Sequence, residues 1–196
     1  MKVALKLLTI LFFVSVTLSS NPVLAKRAAI IIDYDTQEVL FEVNADTLNY
    51  PASLAKIMTL YIVFDYLDKN KLSWDAKMKV SETAASRSPS KLYLEKDSSI
   101  SVRDAVMALI VKSANDVATV IAEHIAGTER DFAKLMTKYA KQIGMNKTTF
   151  KNASGLPNRA QLTTARDMAT LSYFLIRNFP EKYKLFKKER FVWKDK

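Results

Sequence analysis

The sequence contains no cysteine, only three glycines and a single histidine among its 196 residues. Without cysteine, the chain has neither a disulfide framework nor a thiolate metal site. The three glycines form no GxGxxG or P-loop pattern, which leaves nucleotide phosphates without a recognisable binding loop. A Ser-His-Asp triad would have to use His124, whose surroundings, DVATVIAEHIAG, are typical of an ordinary histidine on a helix. Nothing in the composition indicates a metal ion or an organic cofactor.

Acidic residues are scarce relative to basic ones. The chain has 30 Lys and Arg against 20 Asp and Glu, a net charge of +10. Such a surface suits nucleic acid, an anionic envelope membrane contacted peripherally, or a substrate with acidic groups. The charged fraction of 26% argues against a protein with several membrane spans, and the length predicts a single domain.

Residues 1–25 have the organisation of a secretory signal peptide. Lys2 and Lys6 precede the apolar run LLTILFFVSVTL, and a cleavable segment ends at Ala25. A buried first helix is the alternative, but the flanks favour export to the periplasm or cell envelope after cleavage near Ala25. Cleavage would remove two basic residues and no acidic one, which leaves a net charge of +8. An exported protein is not expected to bind nucleic acid.

Two β-prone runs, RAAIIIDY at 27–34 and EVLFEV at 38–43, predict a hairpin. A long helix follows from about Ser53 to Asp68, and residues 81–99 read as a polar surface excursion. Strand tendency returns only at 190–193. Later helices are predicted by helical periodicity over 115–126 and by three [ST]-x-x-[DE] capping patterns, which begin at Ser101, Thr128 and Thr164.

The stretch PASLAK, residues 51–56, combines a serine and a lysine with helical spacing. Residues three apart project from one helix face, so the Ser53 hydroxyl and the Lys56 amine would lie close together. Pro51 suits the first turn of a helix, where free N–H groups stabilise negative charge. Burial beside the apolar run 57–67 would lower the pKa of Lys56 and make it a proton acceptor. An N-terminal serine cap with a snorkelling lysine is the alternative.

Ser-x-x-Lys is weak evidence by itself, because the chain contains a second copy. Ser88-Pro-Ser-Lys91 lies in the polar excursion and carries a proline inside the motif. Nothing there predicts a common helix face for its two side chains.

A further weak motif, Ser113-Ala-Asn115, follows the apolar helix and offers a second hydroxyl for proton relay and an amide for a substrate carbonyl. A helix-joining turn is the alternative for that motif.

The segments PASLAKIMTLY, SANDVATVIAEHIAG, GMNKTTFKNASGL and TTARDMATLSYFLI resemble the serine-type D-alanyl-D-alanine carboxypeptidases, which are low-molecular-mass penicillin-binding proteins. The resemblance implies an α+β fold in which an antiparallel sheet, covered by helices, stands beside an all-helical lobe. It implies that Ser53 is the nucleophile and Lys56 its general base. Ser113 would take part in proton transfer, and Asn115 would line the substrate cleft. The substrate would be a peptidoglycan stem peptide ending in D-Ala-D-Ala, and β-lactams would acylate the same serine.

The chain departs from this family at one motif, because no Lys-Thr-Gly occurs in it. Lys147-Thr148-Thr149 is not a substitute, since it lacks the glycine and precedes the expected place. We therefore expect residues 26–196 to be a catalytic domain that stops before this motif and before the C-terminal strands of its sheet.

Two other functions stay open on the sequence alone. The chain could be an inactive half-domain or a peptidoglycan-binding scaffold, in which case Ser53 would be dispensable. A class A β-lactamase is the third reading. Against it, the stretch NASGLPNRAQLTTARD contains no glutamate to activate a deacylating water.

Overall fold

The computed structural model describes residues 27–194, so the predicted signal peptide lies outside the described residues. The strands of the described chain are Ala29–Ile32 (β1), Val39–Val43 (β2), Lys77–Lys79 (β3) and Ser99–Ser101 (β4). Its α-helices are Ala55–Asp68 (α1), Glu82–Ser86 (α2), Val102–Met107 (α3), Asn115–Ala126 (α4), Glu129–Gln142 (α5), Ala165–Asn178 (α6) and Pro180–Tyr183 (α7). Short 3₁₀ helices span Ala52–Leu54 and Lys184–Lys187, and a π-helical turn spans Ala108–Lys112.

Strands β1 and β2 form the predicted antiparallel hairpin, with Ala29 opposite Val43. The Asp33 carboxylate closes its turn by accepting a hydrogen bond from the Thr36 N–H at 2.8 Å. The β1 strand packs against α6, where the Tyr34 and Tyr173 rings lie 5.5 Å apart. All five residues of β2 are exposed although four of them are apolar. The hairpin therefore leaves much of its hydrophobic surface uncovered by the described residues.

Helix α1 is the centre of the fold. Its sequence has no continuous polar face, and 10 of its 14 residues are buried. Such a helix needs neighbours on several sides, and α4, α5 and α6 supply them. Near its C-terminal half, the rings of Tyr61 and Phe64 meet the Phe179 ring edge-on, with centroids 5.1 and 5.8 Å away. The C-terminal half of α1 is thus fixed by aromatic packing in the core.

The three predicted capping residues begin helices α3, α5 and α6. The hydroxyls of Ser101, Thr128 and Thr164 accept hydrogen bonds from the N–H three residues later, at 3.1, 3.0 and 3.0 Å. Each bond satisfies a backbone donor that the first helical turn leaves free, and the aspartate at that position favours the positive end of the helix. The prediction of these three helices is confirmed.

Two segments differ from their predicted structure. Residues 81–99 are more ordered than a surface excursion, because they contain α2 and connect β3 to β4, which pair with Met78 opposite Ile100. The strand tendency at 190–193 is not realised among the described residues, and this prediction is wrong. There the Phe191 and Trp193 rings lie 6.5 Å apart and pack against the core. Local β-propensity forms no strand without a partner strand in reach.

The predicted α+β class is confirmed, since the described chain combines helices with two small antiparallel sheets, β1–β2 and β3–β4. Helices α2 to α5 form one side of the molecule, into which the short β3–β4 ladder is inserted. The β1–β2 hairpin and α6 form the other side, and α1 lies between them. Across residues 27–194, no helix has both the length and the apolar character of a membrane span.

Candidate active site

Ser53 lies in the 3₁₀ turn Ala52–Leu54 that leads directly into α1. Pro51, which has a helical backbone conformation, occupies the position before this turn. Ser53 is exposed, as is Leu54 after it, whereas the next two residues, Ala55 and Lys56, are buried. This places a solvent-accessible hydroxyl at the N-terminal end of the central helix, where backbone N–H groups and the helix dipole stabilise a developing negative charge.

Lys56 is buried at the base of this turn, with only 3% of its surface exposed. Its Nζ donates a hydrogen bond of 2.6 Å to the backbone carbonyl of Ser154. Burial lowers the pKa of the Lys56 amine to about 8, because desolvation disfavours the ammonium form. Among the described residues, no hydrogen bond joins this amine to the Ser53 hydroxyl. Catalytic hydrogen bonds in unliganded enzymes are often long and form only when substrate is bound.

Residues 153–155, called the 153–155 segment from here on, run across the start of α1. The Ala153 carbonyl accepts a hydrogen bond of 2.8 Å from the Thr59 hydroxyl, one turn beyond Lys56. Gly155 has a φ of +85°, and a Cβ there would lie 1.7 Å from the Ala52 carbonyl oxygen. Only glycine fits this approach, so the segment holds the peptide immediately before Ser53 in place.

Ser113 and Asn115 lie at the start of α4, Ser113 just before the helix and Asn115 within it. Ser113 has a left-handed backbone conformation, with φ 57° and ψ 41°, and separates the π-helical turn from α4. Asn115 is the first residue of α4 and is 5% exposed. Since α1 and α4 pack against each other, the two motifs lie on adjoining helices.

The second Ser-x-x-Lys copy supports this end of α4. The Ser90 carbonyl accepts a hydrogen bond of 2.7 Å from the Asn115 N–H, and the Ser90 hydroxyl donates one of 2.8 Å to the Lys112 carbonyl. The Asn115 side-chain amide donates a longer bond, 3.4 Å, to the Ser88 carbonyl. The residues around Ser88 therefore act through their backbone and through Ser90 to fix the Ser113–Asn115 turn.

Asp116 completes the attachment of this loop to α4. Its carboxylate is fully buried and accepts hydrogen bonds from the Leu92 N–H at 3.0 Å and the Leu94 N–H at 3.2 Å. A buried carboxylate that lacked such donors would be costly. The bonds explain why the segment after Lys91 stays against the helix.

A cavity of about 490 Å³ lies beside the peptide that precedes Ser53. One wall is the turn before α1 and the other is the loop that continues from the 153–155 segment. Its lining residues are Tyr50, Pro51, Ala52, Gly155, Leu156, Pro157, Asn158, Arg159 and Gln161. The volume suits a small peptide-like ligand.

Sequence reasoning missed the role of the 153–155 segment. Ser154 is 98 residues from Lys56 along the chain, so no local pattern links the two. The available signal was Gly155, one of only three glycines in the sequence, in the turn-prone stretch Asn152–Gly155. The structure thus joins Ser53, Lys56 and this segment in one site.

Comparisons with known proteins point to one family. Residues 15–196 match the peptidase S11 family, D-alanyl-D-alanine carboxypeptidase. The D-alanyl-D-alanine carboxypeptidase DacC of Escherichia coli strain K12 is 38% identical over 178 residues, which are 88% of this chain and 44% of that relative. The crystal structure of the carboxypeptidase DacD from Francisella tularensis has 45% identity and a TM-score of 0.80, covering 85% of this chain and 40% of that chain.

A second solved structure, the ampicillin-bound penicillin-binding protein D2 from Listeria monocytogenes, has 37% identity and a TM-score of 0.71. That match covers 82% of this chain and 65% of that chain. The chain spans less than half the length of the Escherichia and Francisella relatives. With a family match that extends over most of its residues, the chain belongs to the peptidase S11 family of D-alanyl-D-alanine carboxypeptidases.

Proposed function

We propose that this protein is an exported serine-type D-Ala-D-Ala carboxypeptidase that removes the terminal D-alanine from peptidoglycan stem peptides. The observation that carries the proposal is the pair at the start of α1. An exposed Ser53 hydroxyl stands one helical turn before a buried lysine whose pKa is lowered to about 8. A lysine with such a pKa has an appreciable neutral fraction near pH 7 and can accept a proton.

In the proposed acylation, the neutral Lys56 amine takes the proton of the Ser53 hydroxyl. The oxygen attacks the carbonyl carbon of the penultimate D-alanine, and the negative charge passes to the carbonyl oxygen. Collapse of this tetrahedral intermediate breaks the peptide bond. The leaving amine receives a proton through Ser113, and free D-alanine departs.

Deacylation returns the enzyme to its starting state. A water molecule attacks the ester carbonyl, gives up a proton to Lys56, and releases the shortened peptide with its new carboxylate. The Ser53 oxygen regains its proton as the ester bond breaks. Asn115 would orient the substrate through its side-chain amide, which among the described residues donates only one long hydrogen bond, 3.4 Å, to the Ser88 carbonyl.

The cellular setting is proposed on the same basis. Residues 1–25 would direct export and be removed near Ala25, and the remaining chain would carry a net charge of +8. A basic surface favours contact with the anionic cell envelope, where the substrate is found. β-Lactams would acylate Ser53, a proposal supported by the ampicillin-bound relative.

The test is D-alanine release by the full-length protein from an N-acylated peptide ending in D-Ala-D-Ala. Catalytic release of one D-alanine per peptide is the expected result. Binding of the peptide without release would favour the scaffold reading instead. Rapid turnover of benzylpenicillin with no peptide cleavage would favour the β-lactamase reading. Either of those two outcomes contradicts the proposal.

A further inference from the structure

An ion pair contacts the 153–155 segment at the Ala153 N–H. Arg87, just after α2, contacts Glu129, the first residue of α5, through a short hydrogen-bonded salt bridge. The Glu129 side chain is only 12% exposed and that of Arg87 is 33% exposed. Most other ion pairs of the described residues have at least one partner that is more than half exposed, for example Lys79–Asp97 and Lys134–Asp131. This pair is therefore better shielded from water than an ordinary surface bridge.

Two further groups are gathered around the Glu129 carboxylate. The fully buried Thr119 hydroxyl accepts a hydrogen bond of 3.2 Å from Arg87 and lies 3.4 Å from Glu129 Oε1, to which it donates. The same Oε1 atom accepts a hydrogen bond of 3.2 Å from the Ala153 N–H. Glu129 thus links α4, α5 and the loop after α2 to the 153–155 segment.

The hydrogen bonds of Ala153 and Ser154 connect Glu129 to Lys56. Ala153 is held at its N–H by Glu129 and at its carbonyl by the Thr59 hydroxyl. The next carbonyl, that of Ser154, accepts the hydrogen bond from Lys56 Nζ. The carbonyl that accepts the Lys56 hydrogen bond therefore belongs to the residue next to Ala153, whose N–H the Glu129 carboxylate binds.

Other side chains also hold this loop, but at different points. Gln161 Oε1 accepts from the N–H groups of Lys151 and Asn152, and Asn152 Oδ1 accepts from the Gly155 N–H. Both are neutral amides that shape the turn itself. Glu129 is the charged group that attaches the turn to the helices, and its bond falls at the residue next to Ser154.

We propose that Glu129, held by Arg87, is a positioning residue for the general base: it fixes the Ala153 N–H and thereby the Ser154 carbonyl that orients the Lys56 amine. The inference rests on the proposed function of Ser53 and Lys56. A carboxylate with a paired guanidinium makes a stronger bond to a backbone N–H than a neutral acceptor does. The position of the 153–155 segment is important because it makes two contacts at the site. Its Ser154 carbonyl binds Lys56, and its Gly155 packs against the peptide before Ser53.

The test uses the full-length protein and benzylpenicillin, with the acylation rate constant measured separately from the dissociation constant of the non-covalent complex. Glu129→Ala should lower the rate constant by up to about 10²-fold, the cost of misplacing a catalytic group by roughly 1 Å. The dissociation constant should change little. Glu129→Gln retains an oxygen acceptor for the Ala153 N–H but loses the charge, so it should restore only part of the rate.

Asp65→Ala is the matched control. Asp65 is a half-buried carboxylate on α1 that binds Lys69 and the Tyr139 hydroxyl, far along the helix from Ser53. Its loss should reduce thermal stability and leave the rate constant of the folded protein unchanged. If Glu129→Ala does not fold, Glu129→Asp takes its place, because the shorter side chain keeps the charge and weakens the bond to Ala153. Equal rate constants for wild type and the folded Glu129 variant would overturn the inference.

Hydrogen exchange separates this inference from the proposed function. If the wild-type protein is not acylated, the proposed function fails, and the inference is judged by exchange at the Ala153 and Gly155 amides. Faster exchange there in the Glu129 variant, with protection unchanged in the Asp65 variant, supports the positioning role. Unchanged exchange at both amides contradicts it.

Discussion

Two Ser-x-x-Lys motifs in one chain have the same spacing and different surroundings. Ser53 and Lys56 straddle the start of the buried central helix, and the lysine is 3% exposed. Ser88 and Lys91 lie on irregular backbone between α2 and β4, with Ser88 exposed and Lys91 partly exposed. The Lys91 amine lies 5.1 Å from the centre of the Tyr93 ring instead of entering the core.

We infer from this difference that backbone conformation and burial, more than spacing, decide whether a serine–lysine pair can be reactive. A helix sets the two side chains on one face, and desolvation makes the amine a base. The copy at Ser88 has neither condition. It serves instead as a support, through the Ser90 bonds that hold the Lys112–Asn115 turn.

The largest contrast is expected for the two serines. Ser53→Ala removes the nucleophile and should abolish both D-alanine release and covalent labelling by a fluorescent penicillin. Ser88→Ala keeps the backbone carbonyl that Asn115 contacts and should leave both unchanged. Labelling of the Ser53→Ala protein at the wild-type rate would show that the nucleophile lies elsewhere.

The two lysines should differ by a smaller but still large factor. Lys56→Met fills the same buried space without an amine and should slow acylation by about 10²–10⁴-fold, as is usual for loss of a general base. Lys91→Met should have no measurable effect on the rate. Stopped-flow or gel-based acylation kinetics on folded protein give the comparison. A modest loss with Lys56→Met would mean that another group accepts the proton.

Substitutions of two glycines compare the packing at the site with the packing elsewhere in the fold. Gly155→Ala would place a Cβ 1.7 Å from the Ala52 carbonyl oxygen, whereas a Cβ at Gly144 would meet nothing within 4 Å. Both have a positive φ, so each substitution carries a backbone cost of about 1–2 kcal/mol. Gly155→Ala should cost more in urea unfolding and should also slow acylation. Equal effects of the two variants would contradict the close packing of the 153–155 segment.

A pH dependence of acylation is the last expected effect, and it is set by the Lys56 amine of the Ser53 motif. Burial lowers the pKa of Lys56 from 10.5 to about 8, so the neutral amine forms as pH rises through that value. Acylation should therefore speed up about tenfold per pH unit below pH 8 and level off above it. Rates measured from pH 6 to pH 10 would check this. A profile that is flat between about pH 6 and pH 9 would contradict a general-base role for this amine.

Local sequence signals were sufficient for much of the fold. The capping patterns at Ser101, Thr128 and Thr164 identified three helices because a cap is a contact within four residues. The first-turn position of Ser53 followed from Pro51 and the apolar run after it. The two β-prone runs were sufficient for the hairpin, and helical periodicity was sufficient for α4.

Contacts distant in sequence were not predictable in the same way. The acceptor of the Lys56 hydrogen bond is 98 residues away, and the Glu129 bond to Ala153 spans 24 residues. The β3 and β4 strands have three residues each, too few for an alternating pattern to show. The strand predicted at 190–193 was wrong because a local β-preference is not enough, and this run has no partner strand among the described residues.

The most direct test of the central claim is the site of covalent attachment by benzylpenicillin, mapped by mass spectrometry of peptides from the full-length protein. The account predicts one adduct per molecule, on the peptide that contains Ser53, with the peptide containing Ser88 unmodified. An adduct on any other serine, or none on protein shown to be folded, would contradict it.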